Sequence, residues 1–253
     1  MLDLNVIHFS LDEQRILDGI SVRFEARKIH GIIGPNGSGK SSLLKNICRI
    51  WEPQSGSIVI NGKDYREIPR KELSTLVTLV PQNTNIGFPL SVFDIVAMGR
   101  NPHLGRFEGL RHRDREIIER ALHQTNIYHL KDRNINELSG GEGQLAIIAR
   151  ALATEASLIL LDEPTSELDV KHTLEIVTIL DELKAQGKTI LVAIHDLNLA
   201  RKFCDTITIL RRGKLFYSGT PEAAFAEENI APVFEVHVRE FKHNDTTFLD
   251  FYK

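Results

Sequence analysis

The sequence of 253 residues lacks most features of a secreted or membrane-embedded chain. Its two cysteines, Cys48 and Cys204, stand among apolar neighbours in predicted helices, so we expect buried, reduced thiols rather than a disulfide framework. No apolar run approaches the ~20 residues that span a bilayer. The N-terminus has no basic region followed by a long apolar core and a cleavage site. We therefore expect a cytoplasmic protein that is not itself integral to a membrane.

The chain also has little excess charge of either sign. It holds 34 acidic and 31 basic residues, a formal net charge of −3. Nucleic acids and anionic lipids attract a surplus of positive charge, so we expect no nucleic-acid partner. The basic run at residues 111 to 115 is interleaved with Asp114 and indicates the polar start of a helix. The 10 histidines show no ligand spacing, so we expect no dedicated transition-metal site.

The periodicity of apolar residues predicts two kinds of sheet. Near the N-terminus, Leu2, Leu4 and Val6 alternate, and residues 58–60 run into the hairpin signal Asn61-Gly62, which indicates an antiparallel patch. Apolar strands at residues 158–161 and 189–194 are separated by a helix that closes at Gly187, which indicates a parallel sheet.

Two further regions have other patterns of apolar residues. Residues from about 83 to 152 predict a helical insertion, with one helix around residues 117–122 and another over residues 142–153. Near the C-terminus, Phe234, Val236 and Val238 alternate, which predicts a strand. A turn at residues 243–245 and a second strand at residues 247–252 follow it.

A glycine-rich segment lies between an apolar strand predicted at residues 29–33 and a helix predicted at residues 41–50. It reads Gly34-Pro35-Asn36-Gly37-Ser38-Gly39-Lys40-Ser41 and fits the pattern G-x-x-x-x-G-K-[ST]. Glycines let backbone amides turn towards a polyphosphate, and the helix N-terminus adds partial positive charge. We expect Lys40 to reach the β and γ phosphates and Ser41 to coordinate Mg²⁺. The alternative is a turn in which this pattern arises by chance, but such a turn would not need a strand before it and a helix after it.

Two carboxylates, Asp162 and Glu163, end the apolar strand at residues 158–161. They should therefore lie at the carboxyl edge of a parallel sheet, where ligands bind in such folds. Beside a phosphate-binding loop, Asp162 would hold Mg²⁺ through water and Glu163 would orient and polarise the attacking water. The alternative is an acidic pair exposed to solvent at the end of a strand.

A second glycine-rich helix start follows Leu138 and reads Ser139-Gly140-Gly141-Glu142-Gly143-Gln144. A single phosphate site does not need two such helix starts. At this point the sequence resembles the ATP-binding cassette (ABC) family, in which two subunits pair head to tail and share their nucleotides. The resemblance covers nearly the whole chain and rests on motifs in the family order. They are the loop from Gly34 to Ser41, Gln82, the signature Leu138 to Gln144, Asp162 with Glu163, the run Ser166 to Asp169, and His195.

The resemblance implies a role for each matching residue. Gln82 is similar to the residue that contacts Mg²⁺ and water, and Ser139, Gly140 and Gly141 to residues that bind ATP across the dimer. Asp169 resembles the aspartate near the dimer junction, and His195 resembles the histidine that senses the γ phosphate. The catalytic residues implied are Glu163, His195, Lys40 and Gln82, and the metal ligands implied are Ser41, Gln82 and Asp162.

The resemblance also implies the fold: an α/β P-loop NTPase core of the RecA-like type, an N-terminal antiparallel β subdomain and an inserted α-helical subdomain. We expect a single domain over residues 1–253, with residues 1–82 and 153–253 in the core and β subdomain, and residues 83–152 in the helical signature subdomain. ATP and Mg²⁺ are the expected ligands, and a second copy of the chain is the expected dimer partner.

The segment from residue 91 to residue 107 is similar to that of cassettes serving importers of iron siderophores, haem and cobalamin, as is the end of the chain at residues 233–238. This likeness implies an integral membrane permease and, indirectly, an extracytoplasmic substrate-binding protein as partners, with the chain at the cytoplasmic face of the membrane. Arg100, His103 and Arg106 are candidates for the surface that docks on the permease. The alternative for this segment is a solvated loop.

The sequence departs from the family pattern at a few positions. Leu11 stands where the family usually has an aromatic ring on adenine, with Phe9 and His8 nearby, and Ser42 replaces a usual threonine. Gly143 and Leu145 replace basic residues. Two alternatives stay open: a soluble ABC ATPase, such as one of iron–sulfur cluster assembly, and a degenerate ATP-binding regulator. The intact Lys40, Asp162, Glu163 and His195 argue against the regulator.

Overall fold

A computed structural model describes residues 1–82, 86–166, 168–243 and 246–253 of the chain. The strands, in chain order, are β1 (Leu2–Leu11), β2 (Gln14–Phe24), β3 (Ile29–Ile33), β4 (Ser55–Ile60), β5 (Lys63–Asp64), β6 (Val77–Val80), β7 (Leu158–Asp162), β8 (Thr189–Ala193), β9 (Thr206–Arg211), β10 (Lys214–Gly219), β11 (His237–His243) and β12 (Thr246–Tyr252). The helices are α1 (Lys40–Ile47), α2 (Arg70–Leu76), α3 (Val92–Ala97), α4 (His112–Gln124), α5 (Gly140–Ala153), α6 (Val170–Ala185), α7 (Leu197–Phe203), α8 (Pro221–Ala224) and α9 (Glu227–Phe234). The chain divides into two compact units, one formed by Met1–Ile68 with Thr189–Lys253 and the other by Pro69–Lys188.

The first unit contains the expected antiparallel sheet, with strand order β2-β1-β4-β5. Leu2, Leu4 and Val6 all lie in β1, as their alternation predicts, but Leu2 and Leu4 are buried whereas Val6 is 54% exposed and has a φ of 50°. The pairing register shifts between Leu4 and Ile7, and this bulge inserts Val6 as an extra residue and turns Ile7 into the core. The Asn61-Gly62 turn joins β4 to β5 as predicted, with φ values of 51° and 83° that suit this pair.

A second group of strands in this unit has the order β10-β9-β3-β8, in which β9, β3 and β8 run parallel and β10 pairs antiparallel with β9. Every residue of β3 and β8 is buried, as expected for strands of a parallel sheet. The glycine-rich loop follows β3 and leads into α1, which confirms the predicted succession of strand, loop and helix. Helix α1 ends at Ile47, earlier than predicted, because Arg49 adopts a left-handed φ of 59°.

The C-terminal region differs from its prediction. Phe234 is the last residue of α9 rather than the start of a strand, and Glu235 then turns the chain with a φ of 59°. Strand β11 begins at His237 and pairs antiparallel with β12, which confirms the second predicted strand. The predicted turn at residues 243–245 includes Asn244 and Asp245, which lie outside the described residues. The Asn198 side chain ties this hairpin to α7 through hydrogen bonds of 3.0 and 2.7 Å with the Leu249 backbone.

The second unit contains the parallel strands β6 and β7 and the predicted helical part. Helix α5 packs against α3, α4 and α6, and most of its residues are buried. Helix α4 begins at His112 behind Arg111, as the charge pattern predicted. In the described parts of both units, no helix is long and apolar enough to cross a membrane.

Both cysteines lie one residue beyond a helix, rather than inside it as predicted. Cys204 is buried, whereas Cys48 is only half-buried after the end of α1. Neither is in a disulfide in the described part of the chain. Burial raises the pKa of the Cys48 thiol to about 11, so this thiol is protonated at neutral pH.

Arg100 is buried at 4% exposure and is not the outward-facing docking residue that the sequence predicted. Its guanidinium donates to Asp114 at 2.9 Å, to the Ala153 carbonyl oxygen at 2.8 Å and to Glu155 at 3.1 Å. His103 is half-buried, and its Nε2 lies 2.9 Å from the Thr154 carbonyl oxygen, so its ring is only partly available to a partner. The acceptors that draw both side chains inward lie near the C-terminus of α5 and, for Arg100, at the start of α4.

Arg106, in contrast, is exposed, and beside it Phe107 is 94% exposed. Of the three predicted docking residues, Arg106 is therefore the one whose side chain faces solvent in the second unit.

The buried ion pair between Arg100 and Asp114 generates a stability prediction. Arg100→Ala should lower the free energy of unfolding by about 3 to 5 kcal/mol, because it leaves the Asp114 carboxylate buried without its cation. The exposed Arg106→Ala is the matched control and should change it by no more than about 0.5 kcal/mol. Urea unfolding followed by circular dichroism measures both, and equal effects would contradict a structural role for Arg100.

Candidate functional site

The glycine-rich loop is shaped by close approaches that only glycine permits. Gly34 has a φ of 153°, and a Cβ added there would collide with the carbonyl oxygen of Leu210. Gly39 has a φ of 103°, and its Cβ would lie 2.8 Å from Cδ2 of Leu17. The loop therefore folds tightly against its own unit and turns into α1, whose first backbone N–H groups have no partner within the helix.

Lys40 is buried at 5% exposure in this loop. Its ammonium donates to the carbonyl oxygens of Gly34 at 3.0 Å and Pro35 at 3.4 Å. Ser41 and Ser42 follow in the first turn of α1 and are half-buried. A buried cation and the N-terminus of an eight-residue helix together suit a polyphosphate.

The loop also borders a cavity of about 340 Å³ in the first unit that the sequence analysis missed. Its lining is Pro35, Asn36, Gly37, Ser38, Arg211, Arg212, Val233, Phe234 and Glu235. One signal could have found the two arginines. Strands β3 and β9 are parallel neighbours, with Ile33 paired to Ile209, so the residues that follow them meet at the same edge.

In the second unit, the structure brings Gln82 and Glu163 together. Strands β6 and β7 run parallel with Val80 opposite Leu161, so their carboxyl ends coincide. Asp162 ends β7 and is 4% exposed, and Glu163 follows at 9% exposure. The Gln82 side-chain amide donates from Nε2 to Oε2 of Glu163 at 2.8 Å. A buried carboxylate is costly without such a donor, and this contact also orients it.

The backbone of Glu163 adopts a left-handed φ of 51°, which is unusual for a residue with a side chain. Ser166 stabilises this turn, because its hydroxyl and its backbone N–H donate to the Glu163 carbonyl oxygen at 2.9 and 3.2 Å. Backbone strain of this kind costs on the order of 1 kcal/mol and clusters at functional sites, where it aims a side chain.

Ser139 caps the N-terminus of α5 in the same unit. Its hydroxyl accepts from the backbone N–H of Glu142 at 3.3 Å and donates to the Glu142 carboxylate at 2.9 Å. The carboxylate also accepts from the Ser139 backbone N–H at 2.9 Å, which completes a capping box. This N–H first, and then the hydroxyl, hold the pKa of Glu142 below its usual range. Gly140 and Gly141 form the first turn of the helix behind this cap.

Asp169 and His195 lie at the ends of other elements, each within its own unit. Asp169 caps α6 and accepts from the backbone N–H of His172 at 2.8 Å, with the His172 ring nitrogen Nδ1 at 2.9 Å. That N–H first, and then the ring, hold the pKa of Asp169 below its usual range. His195 follows β8 by two residues and is exposed.

The region near Leu11 shows which rings are already engaged. Leu11 ends β1 and is 44% exposed. Phe9 is buried at 5% exposure and stacks on Trp51, with ring centroids 5.2 Å apart. Nδ1 of His8 lies 3.2 Å from the Asp18 carboxylate. Phe9 is therefore a packing residue of the first unit rather than a ring that could stack on a base.

The fold and these features define a class. A glycine-rich loop with a buried lysine joins a parallel strand to a helix, and two carboxylates follow another parallel strand, as in nucleotide-binding proteins of the phosphate-loop type.

Comparison with known proteins then identifies the family. The model of the ABC transporter family matches residues 17–166. The petrobactin import ATP-binding protein FpuC of Bacillus anthracis is 34% identical over 249 residues, covering 98% of this chain and 92% of the relative. The hemin import ATP-binding protein HmuV of Pseudomonas entomophila is 36% identical over 243 residues, or 94% of each chain. A solved transporter described as of the metal-chelate type, in an inward-facing conformation, has a TM-score of 0.86 and 28% identity, covering 99% of this chain and 95% of the other.

The chain belongs to the ABC transporter family and is an ATPase of the importer subfamily. The predicted family is confirmed. The predicted fold, with its phosphate-loop α/β core, antiparallel β part and helical part, is also confirmed. The comparisons support an importer rather than an ATPase of iron–sulfur cluster assembly.

Leu11→Tyr tests whether the adenine position lacks an aromatic ring. A new ring there should lower the Kd for ATP about tenfold, since a stacked base contributes ~1–3 kcal/mol. Leu11→Ile is the matched control and should leave the Kd unchanged. Equilibrium titration with ATP measures both. An unchanged Kd for Leu11→Tyr, together with weaker ATP binding by a folded Phe9→Leu protein, would assign the adenine contact to Phe9 instead.

Proposed function

We propose that the chain hydrolyses ATP to ADP and phosphate to energise an importer of a metal chelate of the iron-siderophore, haem or cobalamin kind. The observation that carries the catalytic part is the buried Glu163 carboxylate held by Gln82 at 2.8 Å. The cargo class rests on the names of the relatives, which import petrobactin and hemin, and on the similar metal-chelate transporter.

The phosphates of ATP bind the glycine-rich loop in this proposal. Backbone N–H groups of the loop and of the first turn of α1 donate to the phosphate oxygens. The Lys40 ammonium, which donates to the carbonyl oxygens of Gly34 and Pro35 in this structure, exchanges these acceptors for the β and γ phosphates. The residues proposed to bind are Gly34, Pro35, Asn36, Gly37, Ser38, Gly39, Lys40, Ser41 and Ser42.

The proposed metal ligands suit Mg²⁺. Ser41, Gln82 and Asp162 offer a hydroxyl, a carboxamide and a carboxylate, and such all-oxygen donors are those that Mg²⁺ prefers. The Gln82 amide nitrogen already donates to Glu163, so its Oε1 is the atom left for a cation or a water molecule. When bound, Mg²⁺ neutralises charge on the phosphates.

Hydrolysis then needs an oriented water molecule more than it needs covalent help. Glu163 accepts a proton from this water molecule while the oxygen of the water bonds to the γ phosphorus. The bond between the γ phosphorus and the oxygen that leaves with ADP breaks at the same time. Gln82 fixes the carboxylate that receives the proton, and His195 contacts the γ phosphate. The left-handed backbone of Glu163 sets the direction of its side chain.

Two copies act together in this proposal. Cassettes of this family form dimers and work with membrane permeases. We assign Ser139, Gly140, Gly141 and Asp169 of one copy to the ATP held by the other, because α5 offers an anion a second helix N-terminus. To bind a phosphate, the Ser139 hydroxyl has to turn away from the Glu142 carboxylate.

The chain lies at the cytoplasmic face of the membrane, bound to its permease, and an extracytoplasmic substrate-binding protein delivers the cargo. The helical signature subdomain at residues 83–152, inserted between residues 1–82 and 153–253, carries the docking surface. Arg106 and Phe107 are exposed in this subdomain and are therefore available to a permease.

Glu163→Gln is the direct test of the proposed catalysis. This change keeps the shape of the side chain but removes the proton acceptor, so turnover should fall about 10²-fold to 10⁴-fold while ATP binding persists and a dimer with bound ATP accumulates. Glu182→Gln, on the exposed face of α6, is the matched control and should keep wild-type turnover. Phosphate release and size-exclusion chromatography with ATP report the result. Near-normal hydrolysis by Glu163→Gln would contradict the role of this carboxylate.

A further inference from the structure

His172, in the first turn of α6, packs against the signature helix of the same unit. A Cβ added to Gly141 would overlap its ring, at 2.6 Å from both Cδ2 and Nδ1. The side chain of His172 is 17% exposed. By contrast, a Cβ at Gly140 or Gly143 would meet nothing within 4 Å. Of these three glycines, Gly141 is thus the one packed against another element, and its partner there is the His172 ring.

The same ring is held by the residue that caps its own helix. Nδ1 of His172 lies 2.9 Å from Oδ1 of Asp169, and this oxygen also accepts the His172 backbone N–H at 2.8 Å. An ionised carboxylate only accepts hydrogen bonds, so Nδ1 carries the proton. The Asp169 side chain is 64% exposed, and these two contacts keep a solvated carboxylate in one orientation.

His172 therefore touches two segments that are separate in the sequence. Asp169 lies 3 residues before it, whereas Gly141 lies 31 residues before it, at the start of another helix. The ring fills the space that a side chain at position 141 would occupy, and its Nδ1–H holds the carboxylate. Removing the ring leaves a gap beneath the first turn of α5 and takes away one of the two hydrogen bonds that orient Asp169, so that the backbone N–H of residue 172 alone remains.

We propose that His172 is a positioning residue that holds the Gly141 turn and the Asp169 carboxylate in one fixed arrangement. In that arrangement, both segments meet the ATP of the second copy together. This inference rests on the proposed function, in which Gly141 and Asp169 act across the dimer. It adds a residue that touches no nucleotide and acts through its two neighbours.

The proposal predicts different effects on ATP binding by the monomer and on closure of the dimer, whereas general damage to the fold would weaken both. The glycine-rich loop of one copy binds ATP without the signature, so the Kd of the monomer for ATP should stay within about twofold of wild type in His172→Ala. Closure of the dimer should weaken about tenfold, because a hydrogen bond to a charged group and a packed ring are both lost. The kcat should fall by a similar factor, since hydrolysis follows closure.

Two further variants divide the contribution of the ring from that of its N–H. His172→Phe keeps a ring against Gly141 but cannot donate to Asp169. His172→Asn places an amide N–H near the position of Nδ1 but leaves the space beside Gly141 partly empty. Each should restore part of the loss seen in His172→Ala. The matched control is His112→Ala, on α4, whose side chain is 89% exposed.

The experiment uses the full-length chain in two backgrounds. With Glu163→Gln, sedimentation at increasing protein concentration and saturating ATP gives the dimer dissociation constant of each His172 variant. With Glu163 intact, phosphate release gives kcat and KM. Thermal melting and the Kd of the monomer for ATP are measured alongside. The expected result is weaker dimerisation and lower kcat for His172→Ala, intermediate values for the Phe and Asn variants, and an unchanged Kd for ATP.

Two results would overturn the proposal. One is a His172→Ala protein that dimerises and turns over like His112→Ala. The other is a loss of thermal stability and of ATP binding in proportion to the loss of kcat, with no rescue by Phe or Asn. That result would mean that His172 only stabilises the folded protein. If Glu163→Gln fails to dimerise with His172 intact, the proposed function itself is contradicted, and the inference falls with it.

Discussion

The contact between Gln82 and Glu163 is the interaction on which the account of this protein depends. A carboxylate that is 9% exposed is tolerated only where donors compensate for the water that it has lost. Gln82 supplies one at 2.8 Å, and the parallel pairing of β6 with β7 brings the two residues to one edge. The left-handed turn at Glu163, which Ser166 stabilises, also fixes the direction of the Glu163 side chain. Local geometry and pairing thus orient the carboxylate that we propose as the base before any substrate arrives.

The parts of the fold that could be predicted are those encoded by neighbours in the sequence. The Asn61-Gly62 turn and the succession from β3 through the glycine-rich loop to α1 each rest on a short run of residues. The exposure of Val6 could not be predicted, because a bulge changes the face of the sheet on which a residue lies, and apolar alternation does not reveal a bulge. The helical position of Phe234 could not be predicted, because apolar residues at every second position also fit the end of a short helix.

The candidate site shows the same division. Motif spacing pointed to Lys40 and Glu163, the family resemblance pointed to Gln82, and the structure adds which atoms they contact. Arg100 could not be predicted to be buried, because two of its three partners, Ala153 and Glu155, lie 53 and 55 residues further along the chain. The packing of His172 on Gly141 could not be predicted either, because the sequence around each residue gives no sign of a contact with the other. Contacts between distant segments decide whether a charged side chain faces solvent, and a single sequence does not record them.

The central claim is that this ATPase energises a membrane permease. It is tested most directly by purifying tagged Glu163→Gln protein from its native membranes with ATP and Mg²⁺ and identifying what accompanies it. The account predicts an integral membrane permease, and a substrate-binding protein found with it would narrow the metal chelate that is carried. Recovery of soluble cluster-assembly proteins with no integral membrane partner would contradict the account.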